Sequence, residues 1–288
     1  MNILITGSNG QLGSELKELS SNYSYDFFFT SKDDLDICDF DDIKSFCKNN
    51  KITHIINCAG YTAVDKAQEE TEVANEINNI AVKNLSLISK EFKISLVHIS
   101  TDYVFDGTNY KPYNENDKTN PTSIYGQTKL DGENSMQDIN PNNSIIIRTS
   151  WVYSSYGSNF VKTMLNLSKK LDKLGIIYDQ VGTPTYAKDL ANTILDIIPN
   201  IKNDKVQIYN YSNEGVVSWY DFAKEIFEIS KIDIEVNPIV TKDYPTPAKR
   251  PHYSLLNKSK IKKEFNITIP YYKDSLKRCL KQLGEINE

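Results

Sequence analysis

Ile3-Leu4-Ile5-Thr6-Gly7-Ser8-Asn9-Gly10-Gln11-Leu12-Gly13, running into Ser14-Glu15-Leu16-Lys17-Glu18-Leu19, is the stretch that decides the fold. A short apolar strand breaks at once into Gly-x-x-Gly-x-x-Gly and then into a helical pattern. Glycines in that context serve a tight turn, close approach of a pyrophosphate to the backbone, and packing of helix on strand. The helix start offers unpaired N–H groups and a positive dipole end to phosphates. Directly after a strand and before a helix, the motif predicts a dinucleotide loop through Gly7, Gly10, Gln11, Leu12 and Gly13.

Working outward, a second strand is expected near Tyr25 to Thr30. An acid about 20 residues past the glycines often holds the ribose 2′-hydroxyl in such folds. Here the strand end reads Thr30-Ser31-Lys32, and a hydroxyl with an ammonium suits a 2′-phosphate better, so Ser31 and Lys32 favour NADPH over NADH. An amphipathic helix follows over Asp42 to Lys48, with Asp39 or Asp41 a candidate N-cap. Thr53 to Gly60 is an apolar strand ending in small residues where a cofactor can approach, and His54 reads as structural. Ile94 to Ile99 is another buried strand, ending in Ser100-Thr101-Asp102. Strand and helix thus alternate through the first hundred residues, the pattern of a Rossmann-like, doubly wound parallel α/β sheet. Ligands bind beyond the carboxyl ends of such strands, where Gly7, Gly60 and Ser100–Thr101 fall.

Tyr125-Gly126-Gln127-Thr128-Lys129 places a phenol and an ammonium four residues apart, on one face of a helix. A cation beside a tyrosine stabilises the phenolate and fits it for acid–base work. Tyr220 and Lys224 share that spacing, and with 18 tyrosines two such pairs are no more than chance supplies. Position separates them. Tyr125 follows the Thr101 strand end and lies over the ligand edge, whereas Tyr220 sits in a late amphipathic helix and reads as packing.

Beyond Trp151 the pattern is less regular: a helix over Phe160 to Leu171, a strand over Leu174 to Tyr178, and the proline-rich basic segment Tyr244 to Ser254. We divide the chain into a cofactor domain over residues 1–150 and a smaller C-terminal α/β substrate-binding domain over 151–288. The chain is expected to return to the first domain around 176–211, through a helix Lys188 to Ile198 and a strand Val206 to Tyr211. The cleft between them is the expected site. There Arg250 can offer a bidentate fork to a diphosphate and Trp151 a stacking face.

Composition narrows the function classes. With 39% hydrophobic and 25% charged residues the chain is globular, and a net charge of −5 without a basic stripe argues against nucleic acid. No leader pattern or membrane-length apolar run appears, so a cytoplasmic protein without a membrane partner is expected. Cys38, Cys47, Cys58 and Cys279 have neither zinc-ligand nor disulfide-framework spacing.

The glycine loop, Asn57-Cys58-Ala59-Gly60-Tyr61-Thr62-Ala63-Val64-Asp65, Ser100 to Gly107, Tyr125 to Lys129, Arg148-Thr149-Ser150-Trp151-Val152-Tyr153, Asp179 to Thr185 and Pro247 to Pro251 together resemble the extended short-chain dehydrogenase/reductases. Within that superfamily the set is similar to the dTDP-4-dehydrorhamnose reductase family over nearly the whole chain. The resemblance implies NAD(P)H-dependent reduction of the 4-keto group of a dTDP-sugar. It implies catalytic roles for Thr101, Tyr125 and Lys129, with Asn78 holding a relay water. It also implies cofactor contacts at Gly10, Gln11, Leu12, Asp39, Phe40, Ala59, Gly60, Tyr61 and Thr62, and sugar contacts at Thr101, Asp102 and Trp151. Gly60 and Tyr61 stand where relatives often carry alanine and histidine. Some relatives hold magnesium through glutamates at a dimer interface. Glu15 matches one ligand, but Asp189 and the C-terminal end do not reproduce the others, so no metal set is assigned and a homodimer stays an open expectation. Dehydratases of the superfamily need Asp-Glu directly after the catalytic threonine, and this chain has Asp102-Tyr103. A 4-epimerase and a non-catalytic regulatory subunit are the remaining alternatives.

Overall fold

Strand β1 (Asn2–Thr6) pairs in parallel with β2 (Asp26–Thr30) on one side and β3 (His54–Asn57) on the other, in a computed structural model that describes residues 1–286. Next come β4 (Ser95–Thr101) and β5 (Ile145–Thr149), and the far edge is closed by β10 (Gln207–Asn210). The order is β10-β5-β4-β3-β1-β2, every pair parallel. Strand order reverses between β1 and β3, which opens a crevice at their carboxyl ends.

Ile3, Leu4 and Ile5 are all fully buried because helices cover both faces of the sheet. Alternation sends Ile3, Ile5, Ile56, Val97 and Ile147 to the face packed by α1 (Gln11–Leu19) and α7 (Ala187–Ile197). Leu4, Ile55, Leu96 and Ile146 pack on the other face. There they meet α2 (Phe40–Asn49), α4 (Ala81–Phe92) and Met136 of α5 (Ile124–Ile139).

Helix α4 is the continuation of α3 (Thr71–Asn75) through a π-helical turn over Glu76–Ile80. That turn brings the Asn78 carbonyl against α5, where a Cβ on Gly132 would lie 2.1 Å from Asn78 O. In an open helix Gly→Ala stabilises by about 1 kcal/mol. Here the contact is backbone, so sterics win: Gly132→Ala is expected to destabilise by roughly 1–3 kcal/mol. Thermal unfolding measures it, and a raised melting temperature would show that the helices part freely.

A second core collects Tyr153, Val161, Met164, Phe222, Ile226 and Leu276 from outside the large sheet. It holds α6 (Phe160–Ser168), α8 (Trp219–Ile229) and α10 (Tyr272–Gln282), with three two-stranded sheets beside them. These pair β6 (Val152–Tyr153) with β9 (Thr185–Tyr186), β7 (Lys173–Ile177) with β12 (Glu235–Ile239), and β8 (Val181–Gly182) with β11 (Val217–Ser218). Strand β7 therefore belongs beside β12, and the return to the large sheet begins only with α7. Helix α9 (Ser259–Phe265) then packs on β10. Among the described residues no helix is long and apolar enough to cross a membrane.

Candidate active site

Two hollows of about 650 and 610 Å³ meet over the carboxyl ends of β1, β3 and β4 and share Gly10, Cys58, Ala59 and Gly60. They form one continuous cleft of a size suited to small molecules. Gly7 turns the chain at φ +63°, and a Cβ there would stand 2.7 Å from Ala59 Cα, so only glycine lets the two loops close on each other. Gly13 supports α1 from below, its missing Cβ lying 2.5 Å from Gly7 O. Gly10 precedes α1 without a side-chain cap, which leaves the first N–H groups of the helix free for an anionic ligand.

The first hollow takes in Gly7, Ser31, Lys32, Ala59 and Gly60, as expected from the sequence. Asp39 and Phe40 are not part of its lining. Asp39 Oδ1 accepts from the backbone of Asp41 and Asp42, both at 3.0 Å, and caps α2, while Phe40 packs on the core behind the sheet. Asp36, Ile37 and Cys38 line the hollow in their place.

The second hollow gathers Gln11, Leu12, Thr62, Thr101, Asp102, Tyr125, Lys129 and Trp151. Ser123 caps α5, its hydroxyl accepting from Gly126 N at 3.2 Å, and so starts the helix just before Tyr125. Gly126 lets that first turn press on Tyr103 O, 2.3 Å from a built Cβ. The Tyr103 and Tyr125 rings meet edge to face at 5.4 Å. Burial pushes the Tyr125 phenol up to about 12, the hydrogen bond with Thr101 offsets this in part, and the Asp102 charge adds to it.

Lys129 does not lower the tyrosine in this state, contrary to the expectation from spacing. Its ammonium turns inward instead, donating to Ile99 O at 2.7 Å and lying 3.4 Å from His98 Nε2. Burial brings Lys129 down to about 8, against the opposing pull of Glu133. Glu133, one turn further along α5, is held by Arg148 of β5 at 2.6 Å and by the Ser100 hydroxyl.

Thr101 donates to Asp102 Oδ1 at 3.0 Å and accepts from Tyr103 N at 3.2 Å. The other Asp102 oxygen is buried without a hydrogen-bond partner. Burial raises this carboxyl to about 7, while the Thr101 and Ser254 hydroxyls hold it down. Trp151 takes a left-handed backbone, φ +49°, and stacks on Trp219 with centroids 3.6 Å apart.

Other expected residues lie elsewhere. Asn78 is fully buried, its Oδ1 accepting from Tyr61 N at 2.9 Å and its Nδ2 donating to Tyr61 O and Thr128 Oγ1. Its amide pins the Tyr61 loop to α5, and both amide hydrogens are engaged by protein. Tyr61 is outside the lining, with its hydroxyl on Glu70 at 2.6 Å. Arg250 is also outside it, paired with Asp65 through 2.7 and 3.1 Å contacts. Tyr220 lies on α8 against the second core, and Lys224 is exposed on the same helix. Glu15 is buried, one oxygen accepting from Ser154 and the other unpartnered, whereas Asp189 is bound by Arg278. Among the described residues no three His, Cys, Asp or Glu side chains are grouped to hold a metal. In the sequence no role falls to His98, Glu133 or Trp219, and Arg148 enters only within the Arg148 to Tyr153 stretch.

Comparison with known proteins adds the following. A family profile described as "RmlD substrate binding domain" matches residues 1–285. The chain is 41% identical to the dTDP-4-dehydrorhamnose reductase of Aggregatibacter actinomycetemcomitans over 285 residues, covering 96% of this chain and 97% of the relative. A dTDP-4-dehydrorhamnose reductase crystal structure from Clostridium acetobutylicum superposes with a TM-score of 0.94 at 42% identity, covering 99% of this chain and 100% of that one. The Bacillus anthracis dTDP-4-dehydrorhamnose reductase in complex with NADP superposes with a TM-score of 0.93 at 36% identity, covering 98% and 99%.

Proposed function

The chain belongs to the RmlD family of dTDP-4-dehydrorhamnose reductases, and on that premise we propose that it reduces the 4-keto group of dTDP-4-dehydro-L-rhamnose with NADPH, yielding dTDP-L-rhamnose. The observation that carries this reading is the convergence of Thr101, Tyr125 and Lys129 in one hollow continuous with the glycine cleft. The cofactor fits the residues present. Gly7, Gly10 and the uncapped start of α1 would hold its pyrophosphate, and Ala59 and Gly60 leave room for its nicotinamide half.

When bound, the reduced nicotinamide supplies the hydride for C4 of the sugar. Tyr125 donates the proton to the oxygen that takes up negative charge there. A phenol held near 12 stays protonated at neutral pH, as a proton donor must, yet gives way to a far more basic alkoxide. The Thr101 hydroxyl turns from Asp102 to the same oxygen, an oxyanion-type contact. Lys129 would stabilise the phenolate that remains by swinging its ammonium from Ile99 O toward the phenolic oxygen. Asp102, its carboxyl raised by burial to about 7, lies beside Thr101 in the same hollow, and Trp151 offers an apolar wall to the ring.

We read residues 1–150 with α7 and β10 as the cofactor-binding part and most of the remainder as the sugar-nucleotide part. Lys32 and Ser31 support NADPH over NADH, although Asp36, Glu72 and Glu76 line the same hollow and limit that preference. The test is NADPH oxidation with authentic dTDP-4-dehydro-L-rhamnose, run beside NADH. Stoichiometric oxidation is expected, with the lower KM for NADPH and that advantage lost in Lys32→Ala. No oxidation by folded, cofactor-bound protein would overturn the reading in favour of a binding subunit. Equal KM values would remove Lys32 from cofactor choice.

A further inference from the structure

Behind Lys129 runs a line of buried polar groups that the reaction as described does not use. Thr6, Asn57 and His98 are direct neighbours in register on β1, β3 and β4, so their side chains leave one face of the sheet in a row. Thr6 Oγ1 donates to Asn57 Oδ1 at 2.7 Å, Asn57 Nδ2 meets His98 Nδ1 at 3.1 Å, and His98 Nε2 faces Lys129 Nζ at 3.4 Å. None of the four is more than 5% exposed. Polar groups in an apolar interior cost free energy unless each finds a partner, and this row satisfies them in sequence from β1 to α5.

We propose that His98 is a positioning residue of the reductase site: fixed by Asn57 and Thr6, it aims a ring N–H at Lys129 and so sets how readily that lysine parts with its proton. The inference rests on the reading of Lys129 as part of that site. With Thr6 Oγ1 donating to Asn57 Oδ1, the amide nitrogen faces the imidazole, and in the proposed arrangement Nδ1 accepts from it. A neutral imidazole then carries its hydrogen on Nε2. That hydrogen bonds the lone pair of an uncharged amine and opposes an ammonium.

His98 itself stays neutral, because burial and the Lys129 charge hold its imidazole well below the ordinary range. The other ionisable groups around Lys129 are Glu133, itself paired with Arg148, and Tyr125, Asp102, Tyr103 and Cys58 lining the same hollow. Burial disfavours the ammonium and Glu133 favours it, and the ring N–H of His98 stands on the side of burial through its 3.4 Å approach.

The test reads Lys129 directly and does not depend on turnover. The full-length protein, labelled with 13C at the lysine ε carbon, is titrated by NMR, with the Lys129 signal assigned through Lys129→Met. In His98→Phe, which keeps a ring and removes both nitrogens, the titration is expected to move up by about one pH unit, a tenfold gain in proton affinity. Asn57→Leu frees the imidazole to present Nε2 as an acceptor and is expected to move it the same way. His98→Gln, which can return an N–H donor, should bring it back toward wild type. An unchanged Lys129 titration in folded His98→Phe overturns the proposal, as does a downward shift. If His98→Phe does not fold, Asn57→Leu decides by the same criterion. Absence of reductase activity in the wild type would count against the proposed substrate and leave this measurement intact.

Discussion

Tyr125→Phe lowers turnover by on the order of 10²–10⁴-fold, the range that one positioned proton donor contributes. The substitution removes a single oxygen from a ring that sits edge-on to Tyr103 and half-buried in the cleft, so packing is retained. Cofactor affinity should barely change, because the phenol is no part of the first hollow, which takes in Gly7, Ser31 and Lys32. What disappears is the proton that meets the developing alkoxide. Water is a poor replacement in a site where burial already holds the phenol near 12. Steady-state kcat together with the dissociation constant for NADPH measures both halves. A variant that keeps even a tenth of wild-type turnover takes the role away from Tyr125.

Glu133→Ala destabilises the fold by about 3–5 kcal/mol, since it leaves a buried guanidinium without its counter-charge. Arg148 reaches Glu133 through Nη2 at 2.6 Å and Nε at 3.0 Å, and the two side chains are 3% and 1% exposed. An exposed pair would contribute about 1 kcal/mol or less. Burial makes the difference, through the cost of stranding one partner rather than the worth of the bond. A double replacement by methionine at both positions should therefore recover most of the loss. Denaturant unfolding of the two variants measures the contrast, and equal stabilities would show that water reaches Arg148. The pair also ties α5 to β5 one turn beyond Lys129, so Glu133→Ala should lose activity before it unfolds.

Much of the molecule was legible in the sequence because it was written in local signals. The strand-to-glycine break at Ile5–Gly7 placed the crevice, and the Ser123 start of a helix carried Tyr125 and Lys129 over Thr101. The misses have a common physical origin. Asp39 and Phe40, given to the cofactor by the family resemblance, stand at the start of α2, where Asp39 is the N-cap that its position suggests. His98 lies inside an apolar strand, and only the register of three strands shows that it meets Asn57 and Lys129. The pairing of β7 with β12 spans about sixty residues and has no local signature. Spacing alone put a cation beside the Tyr125 phenol, whereas backbone carbonyl Ile99 O holds the ammonium elsewhere.

The late arrival of β10 at the edge of the large sheet bears on how the polypeptide is made. A chain emerging from the ribosome through residue 150 has β5 with an open edge, and the sheet face over Ile145 and Ile147 still lacks α7. Such an edge invites pairing with other chains until it is covered. Closure waits for residues 187–210, after the Trp151–Tyr186 segment has been extruded, and α9 must then come back once more. The two cores are thus stitched through each other by several crossings, and a cut at any one crossing leaves neither half with all of its layers.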